Sequence, residues 1–475
     1  MIAAGKGHPR ETNCVQDKAT AYYANEALLP GGWAAGVRIE VDARGDISAV
    51  KAGAQSQGAE RLSGPVLPGM ASLHSHAFQR AMAGLAEVRG AGDDDFWGWR
   101  ELMYKFVARL TPGQAASIAR FAYVEMLKSG YTAVGEFHYV HNDADGRPYA
   151  NIAEMSIAHV AAARDAGLAI TMLPVLYAYG NFGAAPLAPR QQRFRSGPGA
   201  ILEIVRAVRS SFPDDCDVHT GVAPHSLRAV DLDGLQDLLA GLAEIDPHAP
   251  VHIHAAEQVR EVGDSLAFSG QRPVEWLLEH LPVDRRWCLV HATHVTDAET
   301  RALAMSGAVA GLCPTTEGNL GDGIFPLPQF RAWGGRFGIG CDSHVSRNPF
   351  EELRLLEYVQ RLVLRRRNVT WSNVSAGVGT TLWLEAASGG AQALGRAMGA
   401  IAPGHRADLV VLDAALPDLA GRSGDSIANA AVFSGSEGLV RDVMVGGRWQ
   451  VRDGRHPLEA SAGAAYKEAV GQLLA

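Results

Sequence analysis

The sequence has no basic block, no long apolar run and no Cys-x-x-Cys pair, and each absence removes a class of function. Lys and Arg number 43 against 51 Asp and Glu, a net charge of −8, so nucleic acid is not an expected partner. Charges, Gly or Pro interrupt every apolar stretch before it reaches the roughly 20 residues of a membrane span. Met1 to Thr12 contains no apolar segment of the kind found in a secretory leader. The expectation is a cytoplasmic chain without a membrane partner. The five cysteines, Cys14, Cys216, Cys288, Cys313 and Cys341, lie far apart, which argues against a disulfide framework and against a thiolate zinc site. They are expected to be reduced and mostly buried.

What is present is histidine in a telling arrangement. His74-Ser75-His76 follows the apolar run Val66 to Leu73, and residues i and i+2 of an extended strand leave the same face, so two imidazoles can address one ion. His254, His291 and Asp342 follow far downstream and offer a third nitrogen and a carboxylate. These are the donor types of catalytic metal sites that keep one position for water or substrate. An isolated His-x-His is at least as often a surface loop. Here the apolar lead-in, and later elements that also end in ligand-type residues, favour the metal.

At 475 residues, 47% hydrophobic and 20% charged, the chain has the composition of a globular enzyme and exceeds one ordinary core unless it is an α/β barrel with attachments. From residue 66 onward, short β-branched runs alternate with helical patterns. The candidate strands are 65–74, 131–138, 168–176, 217–223, 250–255, 287–292, 307–313 and 336–341. Eight such units predict a closed (β/α)8 barrel over 66–402. The first helix between strands is marked by Thr111 as N-cap, Pro112, an apolar face of Ile118, Phe121, Val124 and Leu127, and Gly130 past its end. Chemistry in such barrels sits at the C-terminal ends of the strands. His74, His76, Tyr139, His225, His254, His291 and Asp342 all fall at or just after one. Residues 1–65 and 403–475 read as antiparallel strands, including 34–42 and 47–51 around Gly45, and 403–413 and 443–451. They are expected to form one small composite β-sandwich domain.

Taken in order, Pro68-Gly69-Met70-Ala71-Ser72-Leu73-His74-Ser75-His76, His254-Ala255-Ala256-Glu257, His291, Cys341-Asp342-Ser343 and the Pro403-Gly404 to Ala407-Asp408-Leu409 return resemble the amidohydrolase superfamily over most of the chain. Its members carry a distorted (β/α)8 barrel with a composite β-sandwich. His74 to Leu85, Phe96-Trp97-Gly98-Trp99-Arg100 and Glu136-Phe137-His138-Tyr139-Val140-His141 are most similar to the branch that deiminates N-formimino-L-glutamate in histidine degradation. The resemblance implies His74, His76, His254 and Asp342 as ligands of zinc, with iron or manganese compatible with the same donors, and a homodimer. Alternation alone leaves His252 and His254 open, because both leave the strand on the same side. The family's spacing, with the ligand three residues before a catalytic Glu, selects His254, which leaves His252 and His294 as structural residues. No Lys or Glu stands at the end of the third or fourth strand to bridge a second ion, so one metal is expected. Cys341, beside Asp342, receives no role.

The implied reaction converts N-formimino-L-glutamate to N-formyl-L-glutamate and ammonia by a metal-activated hydroxide. Asp342 and His291 would orient and deprotonate the water, and Glu257 would pass a proton to the departing nitrogen. The plainer role for Glu257 is a cap at a helix N-terminus. A substrate with two carboxylates and a cationic amidine asks for fixed cations at one end and carboxylates at the other. Arg100 and Arg228 suit the first as bidentate clamps, with Gln79, Tyr139 and His225 as further donors and Glu257 and Asp342 facing the amidine. Residues 96–100 read as an aromatic loop serving as lid or dimer contact. Two readings compete. A deaminase of a purine, pyrimidine or triazine ring should prefer flat apolar walls over two arginines. A catalytically inactive barrel used as an assembly scaffold should have lost ligands, and none is missing here.

Overall fold

The computed structural model describes residues 19–88 and 96–475; Met1 to Thr12 and Cys14 lie outside the described residues. The strands in chain order are β1 (Thr20–Leu29), β2 (Gly32–Val41), β3 (Ile47–Lys51), β4 (Glu60–Arg61) and β5 (Val66–Pro68). Then come β6 (Met70–Ser75), β7 (Tyr131–His138), β8 (Ala169–Leu176), β9 (Val218–Thr220), β10 (Ala223–Pro224), β11 (Val251–Ala255), β12 (Trp287–His291), β13 (Val309–Leu312) and β14 (Arg336–Ile339). Three more, β15 (Leu409–Leu412), β16 (Val440–Val445) and β17 (Arg448–Val451), follow.

Strands β6 to β14 form a parallel ladder in the order β10-β8-β7-β6-β14-β13-β12-β11, with β9 also on β8. The two ends of the ladder meet at a parallel bridge between Val222 and Val251. There the His252 N–H donates to the Val222 carbonyl at 3.1 Å and the His254 N–H to the His225 carbonyl at 3.1 Å. The ring is thus closed by backbone hydrogen bonds. Every residue of β7, β8, β11 and β12 is buried, as expected of parallel strands covered on both faces. Thr111 caps the helix Pro112–Lys128 in a capping box with Gln114, and Gly130 follows with φ 103°.

The expected strands are present, with instructive divisions. The run 65–74 breaks at Gly69: β5 pairs with β1 and β15, whereas β6 enters the barrel. A Cβ at Gly69 would collide with Thr132 and with Asp408, so glycine permits the chain to cross from one sheet to the other. The strands from both ends of the chain form one eight-stranded sheet, β17-β16-β15-β5-β1-β2-β3 with β4 on β1. The stretch 443–451 is a hairpin and not one strand: Gly446 and Gly447 have φ of 52° and 76°, the signature of a tight two-residue turn.

The aromatic stretch 96–100 is not a loop. It opens the helix Phe96–Val107, whose Phe96, Met103, Tyr104 and Val107 are buried on one face. Gly98 and the crowded aromatics obscure that period in the sequence. Arg100 therefore sits on a helix. The cysteine expectation also fails at one position. Cys288, Cys313 and Cys341 are buried thiols, but Cys216 is disulfide-bonded. Among the described residues no helix is long and apolar enough to cross a membrane.

The helix Val378–Ala393 covers β14 with small residues, and a Cβ at Gly389 would fall on the Phe337 carbonyl. Gly263, inside the helix Val259–Ser269, has nothing within 4 Å of its Cβ position. Gly389→Ala is expected to destabilise the barrel by about 1–3 kcal/mol. Gly263→Ala should be neutral or stabilise by up to about 1 kcal/mol. Calorimetric melting of both variants checks this, and equal melting temperatures would contradict the contact.

Candidate active site

The strand ends deliver their polar residues into one buried centre. His74 Nε2 lies 3.0 Å from His254 Nε2. It lies 3.5 Å from Asp342 Oδ1, and His76 Nε2 lies 3.4 Å from the same oxygen. The His76 Nδ1 bonds to the Phe137 carbonyl at 2.7 Å and the His254 Nδ1 to the His225 carbonyl at 3.0 Å. A carbonyl only accepts, so both Nδ1 atoms carry hydrogen and both Nε2 atoms present lone pairs. Burial pushes His74 down to about 3 and holds His76 and His254 below the usual imidazole value, the neutral form that ligation needs. Burial alone would raise the Asp342 carboxyl. His74, and then His291 and His76, outweigh that effect and hold it below the ordinary range.

These donors fit a metal. The His254 Nε2 lone pair points at the His74 Nε2 only 3.0 Å away, and the buried His74 Nδ1 has no hydrogen-bond partner. Three imidazole nitrogens and a carboxylate are suited to a borderline divalent ion. His74, His76 and His254 form a buried group able to hold one. The backbone is bent to aim them: Ala256, His291, Ala292, Asp342 and His344 have φ of 52°, 66°, 47°, 45° and 60°, a left-handed cluster at the ends of β11, β12 and β14. Such strain in non-glycine residues gathers where geometry serves function.

Glu257 faces the same centre. Its Oε1 is 3.7 Å from His291 Nε2, and its Oε2 is 4.0 Å from an Arg228 amino group. It does not cap the helix Val259–Ser269. The Ala256 and Glu257 N–H groups, just ahead of that helix, donate to the Glu261 carboxylate, each at 3.2 Å, so Glu261 and not Glu257 satisfies the backbone there. Burial raises Glu257, with His291 and Arg228 opposing. His291 is pushed up to about 10: burial works against its charge, and Glu257, Glu317 and Asp342 outweigh it.

Above the donors lies a chamber of about 50 Å³ lined by Gln79, Arg100, Tyr139, His225 and Arg228 together with His76, His254, Glu257, His291 and Asp342. It opens to an outer cavity of about 320 Å³ that shares Arg100, Tyr177, His225 and Arg228. All five residues expected to contact substrate thus line one space. Gln79 donates to the Tyr139 hydroxyl at 2.8 Å and Arg100 to the Tyr177 hydroxyl at 3.1 Å. The Arg228 Nε has no partner. His252 is turned elsewhere and bonds to the Ala393 carbonyl at 2.7 Å. The His294 N–H donates to the Ala256 carbonyl at 3.0 Å. Burial pushes the Cys341 thiol up to about 12, leaving it unreactive. Tyr177, just after β8, and Glu317, after β13, escaped the sequence reading. The strand-end rule that found the other residues applies equally to both.

Fold and site together define a metal-dependent hydrolase barrel, and the chain belongs to the amidohydrolase family, whose sequence profile matches residues 66–450. A second profile, described as the N-terminal domain of formimidoylglutamate deiminase HutF, matches residues 19–64. The chain is 54% identical over 456 residues to the formimidoylglutamate deiminase of Pseudomonas aeruginosa, covering 96% of this chain and 100% of that one. A solved amidohydrolase from Brucella melitensis superposes with a TM-score of 0.91 at 48% identity, over 96% of this chain and 100% of that one. Identity to the 5-methylthioadenosine/S-adenosylhomocysteine deaminase of Natronomonas pharaonis is 29%, over 85% of each chain.

His254→Ala is expected to abolish stoichiometric metal, since the remaining donors leave the ion without its geometry. Elemental analysis of the purified variant decides it, and full occupancy would remove His254 from the ligand set.

Proposed function

We propose that the chain hydrolyses N-formimino-L-glutamate to N-formyl-L-glutamate and ammonia in histidine degradation. One observation carries this reading: Arg100 and Arg228 line the same chamber as the histidine cluster, Glu257 and Asp342. That arrangement matches a linear molecule with carboxylates at one end and an amidine at the other. The relative from Pseudomonas aeruginosa, 54% identical over its full length, carries the corresponding name.

His74, His76, His254 and Asp342 would hold one ion per chain, read here as zinc, with iron or manganese compatible. Bound there, it would supply Lewis-acid chemistry, able to bring the pKa of water to about 7. Asp342 would take the proton of the attacking water, and His291, 3.7 Å away, would orient it. Glu257, raised by burial, is suited to carry a proton to the departing nitrogen, so ammonia leaves as the carbonyl forms. Arg100 and Arg228 would clamp the carboxylates, while Gln79, Tyr139 and His225 complete the polar wall and exclude water. The same reading includes a cytoplasmic homodimer, and light scattering after gel filtration tests the dimer.

The competing reading is a ring deaminase, and an 8-oxoguanine deaminase of Pseudomonas aeruginosa is 27% identical over 82% of this chain. Ammonia release from N-formimino-L-glutamate, guanine and cytosine offered separately discriminates the readings. Turnover of a ring with none of the formimino compound would reject the proposal, and an inert, metal-free barrel would favour a scaffold.

Glu257→Gln should keep its metal and lose about 10²- to 10⁴-fold in kcat, the usual worth of a proton carrier. Activity within a few-fold of the parent would place the proton path elsewhere.

The two arginines should separate. Arg100 bonds to Tyr177, whereas Arg228 also lies 4.0 Å from Glu257. Arg100→Met is expected to cost about 2–5 kcal/mol in kcat/KM for N-formimino-L-glutamate, and much less for a formimino compound lacking the matching carboxylate. Arg228→Met should show that loss and also lower kcat on both substrates. Equal losses on both substrates for Arg100→Met would reduce that residue to a structural part.

A further inference from the structure

Glu317 is a buried acid that the reaction above does not use. It stands on the helix Pro314–Leu320 after β13. Its Oε1 faces the His291 Nδ1 at 3.2 Å and accepts the Cys313 N–H at 2.9 Å. An oxygen engaged by two donors is an anchor, not a ligand waiting for an ion. Across the imidazole, His291 Nε2 looks into the chamber, 3.7 Å from Glu257 Oε1 and 3.7 Å from Asp342 Oδ2.

We propose that Glu317 is a positioning residue for the deimination: it holds a His291 hydrogen on Nδ1 and fixes the ring plane, so that Nε2 is the nitrogen that faces the attacking water. This rests on the water-orienting role given to His291 above. The backbone alone does not supply that orientation. His291 and Ala292 are bent into the left-handed region, with φ of 66° and 47°, which points the side chain at the chamber but leaves rotation of the ring about its own bond open. Which nitrogen carries the hydrogen is set by the partner of the other one. Glu317 is the acceptor facing Nδ1, and a carboxylate makes that bond a charge-assisted one. The plainer role is a bond closing the first turn of a short helix, through Cys313 N–H. That role predicts no effect on the tautomer of His291.

The test uses Glu317→Leu, Glu317→Gln, His291→Asn and the double variant His291→Asn with Glu317→Leu, each in the full metal-loaded chain. Glu317→Gln keeps an oxygen that can accept both hydrogen bonds and should retain kcat within about 10-fold. Glu317→Leu should lose about 10²-fold or more in kcat, with metal content unchanged and KM altered little; a displaced triad imidazole costs on that order or more. In the His291→Asn background the same substitution should cost less than about 3-fold, because the residue acts through His291. In ¹⁵N-histidine spectra, assigned with His291→Asn, the His291 Nδ1–H form should persist in Glu317→Gln and give way in Glu317→Leu. Losses that multiply in the double variant, or an unchanged tautomer in Glu317→Leu, would overturn the proposal while leaving the role of His291 intact. Near-parental turnover in His291→Asn would instead overturn the role of His291, and this inference with it. If Glu317→Leu does not fold, the tautomer and rate in Glu317→Gln decide: a carboxamide that leaves Nδ1–H in place must keep kcat, and one that displaces it must lose kcat.

Discussion

Two backbone hydrogen bonds hold the whole site together. The Asp342 N–H donates to the His74 carbonyl at 3.0 Å and the His76 N–H to the Asp342 carbonyl at 3.0 Å. They fasten the loop after the last barrel strand to the end of the first, so residues from distant parts of the sequence share one centre. Across the ring, the closing bond from the His254 N–H to the His225 carbonyl fixes the end of β11. That carbonyl also accepts from the His254 ring. Ring closure and ligand orientation are therefore one structural event, and a change that opened the ladder would lose the donor set with it.

Concentrating these groups in a dry centre opposes stability. Glu136, just behind the histidines, is fully buried and pushed up to about 7 by desolvation. It is tolerated because Ser75, Tyr123 and the Ala77 N–H supply bonds of 2.7, 3.0 and 2.9 Å. Ser75 lies between the two histidines in sequence and also bonds to His344 at 2.8 Å. The segment is thus tied down on the side away from the histidine cluster. Left-handed residues at His291, Asp342 and His344 add strain of order 1–3 kcal/mol each. Such costs persist where the surrounding barrel over-determines the backbone, and a parallel ladder whose β7, β8, β11 and β12 are wholly buried does so.

The fold was legible because parallel strands leave a strong pattern. Buried apolar runs such as Tyr131–His138 and Ala169–Leu176 are bounded by helices with clear caps, and both were located to within a residue. Histidine was legible for a chemical reason: it is costly to bury, so its recurrence at strand ends carried information. The failures have equally physical causes. The helix Phe96–Val107 reads as a loop because its buried face is interrupted by Gly98 and by aromatics on more than one side. The break at Gly69 depends on a close approach to Thr132 and Asp408 that no local pattern records. Glu317 and Tyr177 matter through partners distant in sequence, His291 and Arg100, and only the folded ring brings them within hydrogen-bond reach.

The charges around Trp97 complete the account of specificity. Arg100, Arg228 and Arg260 lie 5.4, 5.7 and 4.7 Å from its ring. Gathering three guanidinium groups on one indole is favourable for each cation and ring, yet unfavourable among the cations. Arg260 has Asp264 at 3.9 Å and Arg228 has Glu257 at 4.0 Å, distances too long for strong pairing. Arg100 has a tyrosine hydroxyl and the Arg228 Nε has no partner. The outer cavity thus gathers three guanidinium groups around Trp97, with Glu101 and Asp264 as the carboxylates in the same lining. Under the proposed reading, a ligand bringing two carboxylates would pair with these cations. A flat neutral ring would bury the same guanidinium groups without acceptors, which carries a desolvation penalty. On that reading, selectivity would arise as much from what the arginines penalise as from what they bind.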